Sequence, residues 1–145
     1  IVDFAIAFAV LLGMMLFYGV TPTAAVCTLP FFVLMTAATA LGVGLWLSSL
    51  YVKYRDVRYV TPFLVQFWLF ATPIVYPSTL LPERWRALFG LNPMAGVVEG
   101  FRWALLGQGQ APGLLLFASV LTTAGFLASG LYYFRRMEDT FSDVM

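Results

Sequence analysis

From Pro30 to Leu50 the sequence carries no charged residue, and from Val60 to Tyr76 it again carries none. Between the two stands Tyr51-Val-Lys-Tyr-Arg-Asp-Val-Arg-Tyr59, holding Lys53, Arg55, Asp56 and Arg58. Charges are expensive to carry through hydrocarbon, and Lys and Arg collect in loops on the cytosolic face of a membrane. The pattern therefore predicts two spans joined by a short cytosolic loop over 51–59, which orients every other segment. Composition agrees. The chain is 61% hydrophobic and 10% charged, with a mean hydropathy of +0.89, whereas ordinary soluble domains are roughly 25% charged. There are too few polar side chains to cover a water-facing surface.

Several chemistries are excluded or disfavoured. A formal net charge of +1 gives no basis for nucleic-acid binding, and the chain has no His, so His-based catalysis and His-containing zinc sites are ruled out. The single Cys27 cannot form an internal disulfide and reads as a small apolar packing residue. No phosphate-binding Gly-rich loop ending in Lys-Ser/Thr, no nucleophile elbow and no metal-ligand spacing occurs, and Gly42-Val-Gly44 lacks the strand a nucleotide fingerprint needs. The chain opens at Ile1 directly in an apolar run, without a basic signal region, and is expected to be the carboxy-terminal portion of a longer one.

A lipid-spanning helix needs about 20 apolar residues. Residues 1–20 meet this, with Asp3 at the cytosolic boundary, and the Gly19-to-Thr23 turn ends the run on the outer side. The second span is predicted over 29–50. Within it Ala38 with Gly42, and Ala40 with Gly44, give small residues at four-residue spacing, which allow helices to approach closely in lipid. Trp46 and Tyr51 suit the cytosolic interface. Thr61 reads as a helix cap with Pro62 at the first helical position, opening a third span over 62–76. Phe63, Phe67 and Phe70 form one aromatic stripe there, either for packing and lipid contact or for lining a substrate path. Gln66 reads first as an interhelical hydrogen-bonding group, with a substrate contact as the alternative.

The region 77–113 holds Glu83, Arg84, Arg86, Glu99 and Arg102 among apolar residues. Pro82 and Gly90 bracket one short helix, expected over 82–89. Asn92-Pro93 opens a second over 93–106, which Gly107 closes. These are too short to span and are predicted to be a re-entrant or interfacial pair, with Trp85 and Trp103 at headgroup depth. Glu99 and Arg102 stand three apart and can pair. Met94, Val97, Val98, Phe101 and Leu105 make the opposite, apolar face. The last span is predicted over 114–134, with Ala124/Ala128 and Gly125/Ser129 as further small pairs and Arg135-Arg136 as its stop. Both basic clusters then face the cytosol. Arg84, Arg86 and Arg102 lie outside, against the positive-inside rule, but within amphipathic helices rather than bare loops.

Three stretches together resemble the permease subunits of ABC-type polysaccharide exporters. They are Val2-Asp-Phe-Ala-Ile-Ala-Phe8, the run from Gly42 through Tyr59, and Leu91-Asn-Pro-Met-Ala-Gly-Val-Val-Glu-Gly-Phe-Arg-Trp-Ala-Leu-Leu106. The tail with Phe134-Arg-Arg-Met-Glu138 and Phe141-Ser-Asp-Val144 is similar to the family's ending. The resemblance implies an all-α polytopic membrane protein of the bacterial inner membrane, with four transmembrane helices in this chain and the re-entrant pair before the last. It implies two further spans upstream, a homodimer, a lipid-linked polysaccharide such as O-antigen, capsule or teichoic acid as substrate, and a separate ABC ATPase that binds ATP and Mg. This chain would bind no cofactor and catalyse nothing itself. By resemblance, Tyr51, Lys53, Tyr54, Arg55, Asp56, Arg58 and Tyr59 couple to the ATPase. Phe63, Gln66, Phe67 and Phe70 are candidates for the pathway. Asn92, Pro93, Met94, Glu99, Phe101, Arg102 and Trp103 shape its outer side. Competing readings are a drug or small-lipid exporter permease, an intramembrane lipid-linked sugar transferase using Glu83 or Glu99, and a structural membrane scaffold.

Overall fold

The computed structural model describes residues 2–21, 23–74, 89–107 and 113–142. Among them every regular element is helical: α1 (Val2–Phe17), a short 3-10 turn (Ala24–Thr28), α2 (Leu29–Lys53), α3 (Val57–Ala71), α4 (Pro93–Leu106) and α5 (Leu114–Ser142). The helix expected over 82–89 lies outside the described residues.

The helix ends follow local chemistry. Gly19 takes the left-handed conformation at φ 67°. The amides of Gly19 and Val20 then reach back to the carbonyls of Leu16 and Met15 and satisfy the end of α1. Pro30 sits in the first turn of α2, where its missing N–H costs nothing. Asn92 caps α4 by accepting from the Met94 amide at 3.0 Å, and Gly107 closes it at φ 63°.

Two helical stretches, Ala24–Lys53 and Leu114–Glu138, are long and apolar enough to cross a bilayer. The 16-residue α1 and 15-residue α3 rise about 24 and 22 Å, less than the roughly 30 Å of a hydrocarbon core. Residues 75 and 76 of the predicted third span lie outside the described residues.

Three sequence expectations change. The predicted loop 51–59 is largely helical: α2 runs on to Lys53, α3 begins at Val57, and only Tyr54, Arg55 and Asp56 form the turn. Thr61 does not cap a helix, and Pro62 lies inside α3. Thr61 Oγ1 instead donates back to the Val57 carbonyl at 2.8 Å. The last helix itself runs on past Arg135-Arg136, the predicted end of the span, to Ser142, because a charge ends burial in lipid without breaking backbone hydrogen bonds. Cys27 is exposed rather than packed inside.

The main seam joins α2 and α5, and the two helices are parallel. Thr39 meets Thr123 through their hydroxyls at 3.2 Å, and Trp46 donates to Ser129 Oγ at 3.2 Å and stacks on Tyr133 at 4.8 Å. Midway, the backbones almost touch. A Cβ added to Gly42 would stand 2.8 Å from the Leu127 nitrogen, and one on Gly130 would stand 2.5 Å from the Gly42 carbonyl oxygen. Of the predicted small pairs, Gly42 is therefore in the seam. Ala40, Gly44, Ala124, Gly125 and Ala128 are exposed, and Ser129 is half-buried under Trp46.

α4 fills the space beside this pair. Its deepest face is the small one: Gly96 receives Ser119 of α5, Gly100 receives the Phe32 ring of α2, and Ala104 is fully buried. That face is turned about a third of a circle from the centre of the apolar face of Met94, Val97, Val98, Phe101 and Leu105 expected from the sequence, of which Val97 and Leu105 are buried and the other three half-buried. Backbone approach at glycine admits neighbouring side chains that larger residues would exclude. Met15, Leu29, Phe32, Met35, Val97 and Leu105 complete the core.

Candidate functional site

The parallel α2–α5 seam sets the first feature. The partners of Trp46 are Ser129 and Tyr133, so the same register carries Arg135 and Arg136 to the level of Tyr51 to Lys53. Both basic clusters thus stand at one end of the helix pair. The turn between α2 and α3 is compact: the Tyr54 amide bonds the Leu50 carbonyl at 2.7 Å, and the Val57 and Tyr59 amides bond the Tyr54 and Asp56 carbonyls at 3.2 and 3.0 Å. Lys53, Tyr54, Arg55, Asp56, Arg58 and Tyr59 are all exposed, with the Lys53 ammonium 5.4 Å from the Tyr54 ring centre. Tyr51 points inward. Its hydroxyl donates to Thr61 Oγ1 at 2.7 Å and joins the two helices just inside the turn. An ordered turn bearing outward cations is chemically suited to an acidic protein surface.

The second feature is at the other end of α3. A helix that stops inside a protein leaves its last carbonyls without partners. Here α4 supplies them. Asn92 Nδ2 donates to the Ala71 carbonyl at 3.2 Å and to Thr72 Oγ1 at 3.0 Å, while its Oδ1 caps α4. Arg102 Nη1 pairs with Glu99 at 2.9 Å, and Nη2 donates to the Ile74 carbonyl at 3.3 Å. Thr72 and Pro73 are buried at this junction. Glu99 is thus held in an ion pair with Arg102 rather than poised as a lone acid. Glu83 lies outside the described residues. Among the described residues no group of His, Cys, Asp and Glu could hold a metal ion.

The aromatic stripe of α3 is the third feature. Phe63, Phe67 and Phe70 are 70%, 64% and 73% exposed, and α3 buries no residue. The stripe is not packing within the described fold. Gln66 is exposed beside it and hydrogen-bonds no described residue, so the interhelical bond expected of it is not made there. Trp68, on another side of α3, meets Phe126 edge to face at 6.0 Å. Between α1 and α4 opens an apolar cleft of about 330 Å³ walled by Phe4, Phe8, Leu11, Met15, Phe101 and Leu105. Trp103 lines a second pocket with Cys27 and Phe32.

The sequence pattern thus names Asn92, Glu99 and Arg102, which the structure gathers at the end of α3, whereas Phe101 packs against Phe4 of α1 and Phe32 of α2. The pattern omits Tyr51's inward bond, Thr72, and the Gly96, Gly100, Ala104 row. The row's four-residue spacing is visible in the sequence, but the Glu99–Arg102 pair draws attention to the opposite face.

The model of the ABC-2 type transporter family matches residues 1–106, which take in α1 to α4 and the basic turn. The chain belongs to the ABC-2 type transporter family. Among known relatives, the O-antigen export system permease protein RfbA of Myxococcus xanthus is 30% identical over 141 residues, covering 94% of this chain and 54% of that protein. RfbA of Klebsiella pneumoniae is 23% identical, covering 88% of this chain and 49% of that protein. The inner membrane transport permease YadH of Escherichia coli K12 is 30% identical over 82 residues, 56% of this chain and 29% of that protein. The chain thus spans about half the length of the O-antigen permeases it matches. No solved structure matches it. ABC-2 membership accounts for the apolar helices and assigns them to a membrane transporter.

Proposed function

We propose that this chain is part of the permease subunit of an ABC exporter that moves a lipid-linked polysaccharide of the O-antigen, capsule or teichoic-acid type across the bacterial inner membrane. A separate ABC ATPase, binding ATP and Mg, drives it, and two permease copies form the path. The chain itself catalyses no reaction. The observation that carries this reading is its similarity, along 94% of its length, to a permease named for O-antigen export.

The geometry supports the coupling part. Lys53, Arg55 and Arg58 project from a compact turn, and Arg135 and Arg136 share its end of the bundle. That end faces the cytosol, as Lys and Arg in short loops do, and receives acidic groups of the ATPase. Phe63, Phe67 and Phe70 offer flat apolar faces for sugar rings on the substrate path. Asn92 to Trp103 forms the inner wall of a re-entrant element whose Asn92 end lies deep and whose Gly107 end lies toward the outside.

The test is Arg55→Glu with Arg58→Glu in the full-length permease co-expressed with its ATPase. Membrane insertion stays normal, and ATPase co-purification and export of surface polysaccharide each fall at least tenfold. Unchanged co-purification with normal insertion refutes the coupling role. The family match by itself names no cargo, so a drug or small-lipid exporter permease is the second reading. Under that reading, deletion of the permease leaves surface polysaccharide intact.

A further inference from the structure

α3 is attached to the rest of the protein in an uneven way. Along its length it buries nothing, and Tyr59, Phe63, Val65 and Phe70 are more than 60% exposed. Its polar ties are at its two ends, and between them Trp68 makes one edge-to-face ring contact with Phe126 of α5 at 6.0 Å. At the lower end Tyr51 holds Thr61 at 2.7 Å. At the upper end Asn92 holds Ala71 and Thr72, and Arg102 holds Ile74. The upper partners are the N-cap of α4 and a residue within it, and α4 is the most deeply enclosed of the described helices, with Ala95 and Ala104 at 0% exposure.

A helix is stiff along its axis, because its hydrogen bonds run that way. A helix fixed at both ends and loose between them passes displacement from one end to the other. Resting on the reading of this chain as an ATP-driven permease, we propose that α3 is a strut. It carries displacement of the basic turn some 20 Å (~15 residues at 1.5 Å each) into α4, through the Tyr51–Thr61 joint below and the Asn92 and Arg102 joint above. Asn92 is the positioning residue of this device. Its oxygen caps α4 and its nitrogen grips α3, so the end of one helix and the start of the next move together. α4 then tilts against α2 and α5 about the contacts of Gly100 with Phe32 and Gly96 with Ser119. Coupling of distant sites needs such a discrete element that both ends bias.

The chain carries its own reporter. Cys27, its single Cys, is exposed and lines one pocket with Trp103 of α4. Bimane attached to Cys27 is quenched when the indole lies against it, so its emission reads the position of α4 relative to the start of α2. The experiment uses the assembled full-length transporter with its ATPase and bimane on Cys27 as the only labelled thiol. Trp103→Phe identifies the quenching as coming from that indole.

Mg-ATP with vanadate changes the emission at least twofold in the wild-type complex. Asn92→Ser still caps α4 but is too short to reach α3, and it cuts that change at least fivefold while quenching without nucleotide persists. Tyr51→Phe opens the lower joint without touching α4 and produces the same loss. A nucleotide-driven change of wild-type size in either variant overturns the strut, as does its absence from a wild-type complex that assembles and exports. A wild-type permease that brings down no ATPase overturns the ATP-driven reading and the strut with it.

Discussion

Gly42 and Gly44 stand two residues apart in the same helix, yet Ala at the two positions should act in opposite directions. At Gly42 the added methyl would lie 2.8 Å from the Leu127 nitrogen and the Phe126 carbonyl carbon and 2.9 Å from the Phe126 oxygen. These are backbone atoms of α5, so no side chain can swing aside. Restoring ordinary contact near 3.4 Å moves the helices apart by about 0.6 Å, and a gap of that size forfeits roughly a quarter of the dispersion energy of the atoms facing it. The Thr39–Thr123 contact, now 3.2 Å, stretches beyond hydrogen-bonding range and gives up about 1 kcal/mol. With the overpacking strain, Gly42→Ala should destabilise by about 2–3 kcal/mol. At Gly44 nothing lies within 4 Å, and Ala gains the helix-propensity difference of about 0.5–1 kcal/mol. SDS titration of the full-length permease in mixed micelles, followed by far-UV circular dichroism, measures both. Gly130→Ala strikes the Gly42 backbone from the other side, so the Gly42, Gly130 double variant should cost less than the two singles together. Equal destabilisation by Gly42→Ala and Gly44→Ala, or full additivity of the double variant, refutes the seam.

Gly100→Ala drives a methyl into the Phe32 ring and should cost about 2–3 kcal/mol; Phe32→Leu should recover at least half of that in the same titration. Glu99→Gln keeps a hydrogen-bonding oxygen near Arg102 but removes the charge of the 2.9 Å pair. It should cost about 1–2 kcal/mol, less than outright loss of a buried partner, and lower polysaccharide export less than tenfold, whereas an acid-dependent enzyme would lose activity entirely. Replacing Phe63, Phe67 and Phe70 together by Leu should change stability by less than about 1 kcal/mol, since none of them is packed in the described fold. It should nevertheless reduce export of surface polysaccharide, and unchanged export removes the stripe from the path.

Much of the helix layout is legible in the residues. The Gly19 break, the Asn92-Pro93 opening and the Gly107 stop are decided by conformations that one or two residues permit, so local reading finds them. The Glu99–Arg102 pair is equally local. Thr61-Pro62 carries the same kind of signal and misleads, because the tight turn at 54–56 starts α3 at Val57, so Pro62 falls past the first turn, where it forgoes the amide bond to the Arg58 carbonyl, and the Thr61 hydroxyl bonds the Val57 carbonyl. Which of two small-residue rows meets a neighbour is not a local property. Ala38/Gly42 and Ala40/Gly44 look alike until α5 is in place. The candidate site divides in the same way: the basic turn announces itself by charge, whereas the grip of Asn92 on Thr72 joins residues 20 apart across a connection that no periodicity describes.

The parallel α2–α5 seam also bears on biosynthesis. The hydroxyls of Thr39 and Thr123 are separated by 84 residues of chain. At about 5–20 residues per second, α2 waits roughly 4–17 seconds after leaving the ribosome before its main partner exists. During that time its polar groups face lipid or the insertion machinery. They can wait because each Ser and Thr hydroxyl of α2 is already occupied within its own helix: Thr36 bonds Phe32, Thr39 bonds Met35, and Ser48 and Ser49 bond Leu45. A stripe of Asn or Gln in the same register would have no such internal refuge and would seek the first polar neighbour it met, right or wrong.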